Sequence, residues 1–119
     1  MLPTEPTREE IDKLEGPILL EFGSPYCGYC RAAQPLISAA LAEHPGVRHI
    51  KVVDAKGRRL GRSFRVKLWP TLVFLGDGKE NARVVRPEHA DEIREGLATI
   101  SNLESGAASN RNSSSGERQ

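Results

Sequence analysis

The spacing of apolar residues changes several times along the chain, and each change marks an element. Thr7 and Glu10 have capping-box spacing, and Ile11 and Leu14 share a face beyond them. A short helix ending near Gly16 is expected. After Gly16-Pro17, residues 18–22 are apolar on both alternating sets except at Glu21, the pattern of a strand covered on each face. The run from Arg31 to Glu43 carries Leu36, Ile37, Ala40 and Leu41 at helical spacing. Pro35 should kink this helix and His44-Pro45-Gly46 should end it. Val47 to Val53 is rich in branched residues and reads as a second strand. Residues 55–65 place Leu60 and Phe64 four apart, away from Arg58, Arg62 and Arg65, as in a short amphipathic helix. Thr71 to Leu75 is a third strand, and Gly76-Asp77-Gly78 turns it into a fourth near Ala82 to Val85. Pro87 opens a last helix on which Ile93, Leu97 and Ile100 recur. The order α-β-α-β-α-β-β-α predicts an α/β fold, a mixed four-stranded sheet flanked by helices.

Past Ile100 this periodicity stops. Residues 101–119 hold six serines, three asparagines and a single leucine, too little apolar surface to offset the entropy of ordering. The expectation is one domain over residues 1–100 and a disordered Ser/Asn-rich tail over 101–119. With 17 basic and 16 acidic residues the formal net charge is +1, so no overall field draws the chain to nucleic acid or to a membrane. No apolar run approaches the roughly 18 residues of a membrane span. Residues 1–15 lack the basic start and apolar stretch of a secretory signal. A cytoplasmic monomer is expected. The basic cluster Lys56, Arg58, Arg59, Arg62, Arg65 and Lys67 reads as a solvated helix face, with an acidic docking partner as the alternative.

The candidate chemistry lies at Cys27-Gly28-Tyr29-Cys30, which contains the only cysteines of the chain and joins the first strand to the long helix. A thiol attacks a disulfide as the thiolate, and a helix N-terminus stabilises that anion with unpaired N–H groups and the positive end of its dipole. Cys27, at the entrance, is therefore the expected nucleophile, and the shielded Cys30 the residue that resolves the mixed disulfide. Resolution requires a proton acceptor. Glu21, a lone carboxylate in an apolar strand, is the candidate, its pKa expected to rise on burial. The competing reading puts Glu21 at a wet strand end with no role. The spacing of Cys27, Cys30, His44 and His49 nearly fits a zinc finger. Pro45-Gly46 breaks the helix on which both histidines would have to lie, so no metal is expected, and His44, His49 and His89 read as surface or edge residues. Trp69-Pro70-Thr71 opens the third strand, and from the tripeptide alone a trans proline is expected there. Tyr26 reads as a lid or a packing residue, and Arg31 as a partner of the thiolate or a snorkelling side chain.

The strand-linked Cys27-Gly28-Tyr29-Cys30, Pro35 five residues later, Trp69-Pro70-Thr71 and Gly78 occur together in order over residues 7–100. This set resembles the thioredoxin superfamily. The resemblance implies a thioredoxin fold without the extra N-terminal strand, and a cis Pro70 facing the cysteine pair. It implies that Trp69, Pro70, Tyr26 and Tyr29 bind substrate. It also places Glu21 at the buried acid, usually Asp in thioredoxins and Glu in protein disulfide isomerases. The implied activity is thiol–disulfide exchange on protein disulfides with no bound cofactor, recycled by an external dithiol reductase or a glutathione system. The alternatives are a disulfide isomerase or oxidant, and a non-catalytic binding module.

Several positions depart from the thioredoxin pattern Trp-Cys-Gly-Pro-Cys-Lys: Tyr26, Tyr29 and Arg31 stand at the differing places. Residues 21–26 resemble the lead-in of protein disulfide isomerases, and Cys-Gly-Tyr-Cys is the pairing of the bacterial periplasmic isomerase. Arg86, followed by Pro87, replaces the glycine that lines the substrate groove. Lys51 lies near the place of the lysine that accompanies the buried acid. Tyr29 restores a backbone N–H that proline would lack, which should make the couple less reducing than the roughly −270 mV of thioredoxin.

Overall fold

The computed structural model describes residues 5–55 and 58–102. Eight elements follow in the order expected: α1 (Arg8–Asp12), β1 (Pro17–Gly23), α2 (Gly28–Leu41), β2 (Arg48–Val53), α3 (Arg59–Ser63), β3 (Thr71–Gly76), β4 (Lys79–Val85) and α4 (Ala90–Ala98). They form a four-stranded sheet in the order β2-β1-β3-β4. β1 and β2 are parallel, and β3 is antiparallel to both β1 and β4. Among the described residues no strand precedes β1. The serine-rich tail lies from residue 103 onward outside the described residues, as does Lys56 of the basic cluster.

Strand alternation divides the core into two layers. Ile18, Leu20 and Phe22 of β1, with Val73 and Leu75 of β3, pack against Ile11 of α1 and Leu60 of α3. Leu19 of β1, with Leu72 and Phe74 of β3, packs against Ala33 and Ile37 of α2 and Ile93 and Leu97 of α4. Glu21 shares the second set's parity, so the chain puts a carboxylate under α2 where a leucine would otherwise lie. On β2, Ile50 and Val52 enter the first layer, which turns His49 and Lys51 toward the second.

Local chemistry fixes the element ends. Thr7 and Glu10 exchange both capping-box hydrogen bonds at α1. Asp77 and Gly78 both have positive φ (50° and 82°) between the paired residues Gly76 and Lys79, the geometry of a type I′ hairpin. A Cβ at Gly78 would collide with the Asp12 carbonyl.

Several boundaries differ from those expected. β4 begins at Lys79, ahead of the expected Ala82, because the two-residue turn starts pairing at once, and a bulge between Phe74 and Leu75 absorbs the register change. Pro87 precedes the last helix without opening it: α4 starts at Ala90, where the Glu92 carboxylate accepts the backbone N–H groups of Glu88 and His89. α3 is only five residues long. α2 includes Pro35 and ends at Leu41, ahead of the expected Glu43. The Arg58, Arg59, Arg62, Arg65 and Lys67 side chains are all exposed.

Candidate active site

Cys27 is the N-cap of α2. Its backbone is extended while the helix begins at Gly28, so the sulfur sits where a capping oxygen usually sits. Cys30 N–H donates to Cys27 Sγ at 3.3 Å. The Cys27 thiol also lies 3.8 Å from the Trp69 carbonyl oxygen. Burial pushes the Cys27 pKa up, but hydrogen bonds from Cys30 and from the Tyr29 backbone, with the charge of Arg86, carry it below the ordinary thiol value. Cys30, one turn in, is 5% exposed. Burial, the hydrogen bond with Cys27 and the charges of Cys27 and Glu21 push it up to about 11. Two thiols three residues apart are thus split in opposite directions. A Cβ at Gly23 would lie 2.9 Å from Cys30 Sγ, so glycine at the end of β1 makes room for the inner sulfur.

Glu21 lies under α2 and is 3% exposed. Its carboxylate takes Gln34 Nε2 at 2.9 Å and His49 Nε2 at 2.7 Å. Gln34 also donates to the Cys30 carbonyl at 2.9 Å and accepts from Lys51 Nζ at 3.1 Å. Lys51 is the direct cross-strand neighbour of Glu21. The expected rise in the Glu21 pKa does not occur. Burial acts in that direction, but the hydrogen bonds from His49 and Gln34 and the charges of His49 and Lys51 outweigh it, and the pKa is lowered. Glu21 is therefore a held carboxylate. His49 belongs to this network and is no ordinary edge residue. A pocket of about 200 Å³ touches Glu21, Cys30, Gln34 and Lys51, large enough for water to reach both the carboxylate and the inner thiol.

The loops before β3 and after β4 also reach Cys27, through the Trp69 carbonyl and the charge of Arg86. The Trp69-Pro70 bond is cis, against the trans proline expected from the tripeptide and as the resemblance implied. Pro70 is buried. Trp69 Nε1 donates to Asp54 Oδ2 at 2.9 Å, and Asp54 N–H in turn bonds Gly23 O at 2.8 Å. Tyr26 is 91% exposed and Tyr29 59% exposed, so neither is a core residue. Arg31 donates to the Pro25 carbonyl.

Gln34, Asp54 and the pairing of His49 belong to no motif in the sequence. Gln34 lies one helical turn beyond Cys30, a spacing at which side chains share a face. His49 and Lys51 alternate along a strand. Both signals point to a shared surface, but neither shows what it faces. Among the described residues no three His, Cys, Asp or Glu side chains cluster as metal ligands would. No helix among them is long and apolar enough to cross a membrane.

The thioredoxin family model matches residues 2–99. A thioredoxin of Chlamydia trachomatis is 33% identical over 78 residues, covering 66% of this chain and 76% of its own length. The thioredoxin Asp f 28 of Aspergillus fumigatus is 29% identical over 86 residues, covering 72% of this chain and 80% of its own. Among solved structures, the reduced form of thioredoxin 2 from Pseudomonas aeruginosa PAO1 superposes with a TM-score of 0.74 at 54% identity. That match covers 82% of this chain and 91% of the other.

Proposed function

The chain belongs to the thioredoxin family and is a thiol–disulfide oxidoreductase, and on that premise we propose that it reduces protein disulfides through Cys27 and Cys30. The observation that carries the division of roles is the placement of the two thiols: Cys27 caps the helix and accepts the Cys30 N–H, while Cys30 is buried one turn in, which displaces their pKa values in opposite directions. Cys27 attacks a substrate sulfur as the thiolate; the substrate S–S bond breaks, and the first substrate sulfur leaves and takes a proton. Forming the mixed disulfide removes the Cys27 charge and hydrogen bond that hold the Cys30 pKa up. Cys30 then loses its proton through the adjoining pocket to solvent, with Glu21 relaying it; the lowered Glu21 pKa makes the carboxylate a transient carrier that passes the proton on. The Cys30 thiolate attacks Cys27 Sγ, the second substrate thiolate leaves, and two electrons have passed from the dithiol to the substrate.

Trp69, Tyr26 and Tyr29 form the substrate-facing surface in this reading, and the buried Pro70 holds the turn that carries Trp69. The natural substrates are proteins, and a dithiol reductase or glutathione regenerates the enzyme. The setting in this reading is the cytoplasm, where such reductants keep thiols reduced.

Cys30→Ser tests the assignment. The variant is expected to accumulate mixed disulfides with substrate proteins through Cys27, visible as dithiothreitol-sensitive adducts, and Cys27→Ser is expected to form none. Adducts that persist in Cys27→Ser would reverse the roles of the two cysteines.

A further inference from the structure

Arg86 holds a backbone conformation with φ of 52°, which disfavours any residue with a Cβ. The end of β4 nevertheless directs a long cation back over the active site. Three contacts fix it there. Its backbone N–H bonds the Pro70 carbonyl at 3.0 Å. Its Nε donates to the Trp69 carbonyl at 2.9 Å. Its guanidinium carbon stands 3.9 Å from the centroid of the Tyr29 ring, a cation–π stack. The carbonyl that Arg86 engages is the one that Cys27 Sγ faces.

This arrangement consumes one edge of the guanidinium and orients the rest. Among the described residues the two terminal nitrogens have no hydrogen-bond partner, and the guanidinium carbon lies over the Tyr29 ring. A preset, half-satisfied guanidinium is suited to a carboxylate, which it can take with two parallel N–H donors. No carboxylate among the described residues pairs with Arg86; Asp54, 9% exposed, is bonded to the Trp69 indole. The Trp69 carbonyl, already bonded to Arg86, is also less available to the backbone of an extended substrate.

We propose that Arg86 is a specificity-determining residue that selects disulfides carrying an acidic side chain beside the cysteine attacked by Cys27. This rests on the dithiol–disulfide exchange assigned above, and the chemical step is unchanged. The carboxylate binds while the Cys27 thiolate displaces the substrate thiolate, and Arg86 itself gains and loses no proton.

Two oxidised peptides that differ only in Glu or Lys beside the target cysteine test this, with steady-state kinetics on the wild type and on Arg86→Gly. Glycine adopts the local backbone conformation without strain, so the variant is expected to fold. The wild type should prefer the Glu peptide by about tenfold in kcat/KM, the effect of one partly exposed charge-assisted pair, with less preference at high salt. In Arg86→Gly the preference should fall to near unity, mainly through KM for the Glu peptide. Any change in Cys27 reactivity acts on both peptides alike and cancels in the ratio. Arg86→Lys should retain part of the preference, because the charge survives and the fork does not. A wild-type ratio near one, or an undiminished ratio in Arg86→Gly, overturns the proposal. A wild type that reduces neither peptide overturns the exchange reading beneath it, and the proposal with it.

Discussion

Position 29 sets how many backbone donors face the Cys27 sulfur. The Tyr29 N–H is one of the groups that lower the Cys27 pKa, and proline would delete it. A stabilised thiolate favours the dithiol and makes the disulfide more oxidising. Tyr29→Pro should therefore raise the Cys27 pKa and make the couple more reducing. One hydrogen bond to a charged group contributes about 1.5 kcal/mol at the lower end of its range, equivalent to a fall of about 30 mV. Equilibration with a glutathione redox buffer reads the potential, and ultraviolet thiolate absorbance against pH reads the thiol. Tyr29→Ala retains the N–H and should shift the potential much less; equal shifts in the two variants would assign the effect to the ring.

At the scale of elements, the parallel pairing of β1 and β2 beneath α2 determines the state of Glu21. Register brings Lys51 alongside it, His49 donates from β2 and Gln34 from α2. A carboxylate whose pKa is lower folded than unfolded adds stability that is complete above its unfolded value, ordinarily 4.5. That stability is lost as pH falls through the folded pKa, because the unfolded chain then binds its proton first. Glu21→Gln should thus destabilise the protein at about pH 7 by about 1.5–3 kcal/mol, the range for a hydrogen bond to a charged group. The deficit should shrink once the pH is taken below about 4.5, as the wild-type carboxyl is neutralised. Urea unfolding of both proteins across this range checks it; a deficit independent of pH would show that the carboxylate charge contributes nothing. The elements themselves were largely legible in the sequence, since capping boxes, strand parity and turn residues act over a few positions. The ionisation of Glu21 was not, because it depends on partners 13 and 28 residues away.

For the whole molecule, the strand order β2-β1-β3-β4 gathers four chain segments at one end of the sheet. Cys27 follows β1, Asp54 follows β2, Trp69-Pro70 precedes the antiparallel β3, and Arg86 follows β4. This is the edge where open α/β sheets place their ligands. Asp54 ties two of these segments together through the Trp69 indole and the backbone of Gly23. Asp54→Ala leaves the indole N–H without its acceptor, and the expected loss is about 1–3 kcal/mol in stability, with a higher KM for disulfide substrates. Trp69 is the only tryptophan of the chain, so its emission should shift to longer wavelength in the variant. Asp54→Asn, which still offers an oxygen, should recover most of both losses. Unchanged emission and KM in Asp54→Ala would remove Asp54 from the support of the groove.

The sequence by itself determined what depends on near neighbours: the eight elements, the Asp77-Gly78 hairpin, the Thr7 cap and a dithiol at a helix entrance. Its motifs also carried the resemblance to one superfamily. Only the tertiary structure decided that Glu21 stays a held carboxylate, that His49 and Gln34 hold it, and that Arg86 lies over Tyr29. The reason is the range of the forces. Propensity, capping and periodicity act within a turn or two, whereas these contacts join groups 13 to 57 residues apart that meet only when the chain is folded.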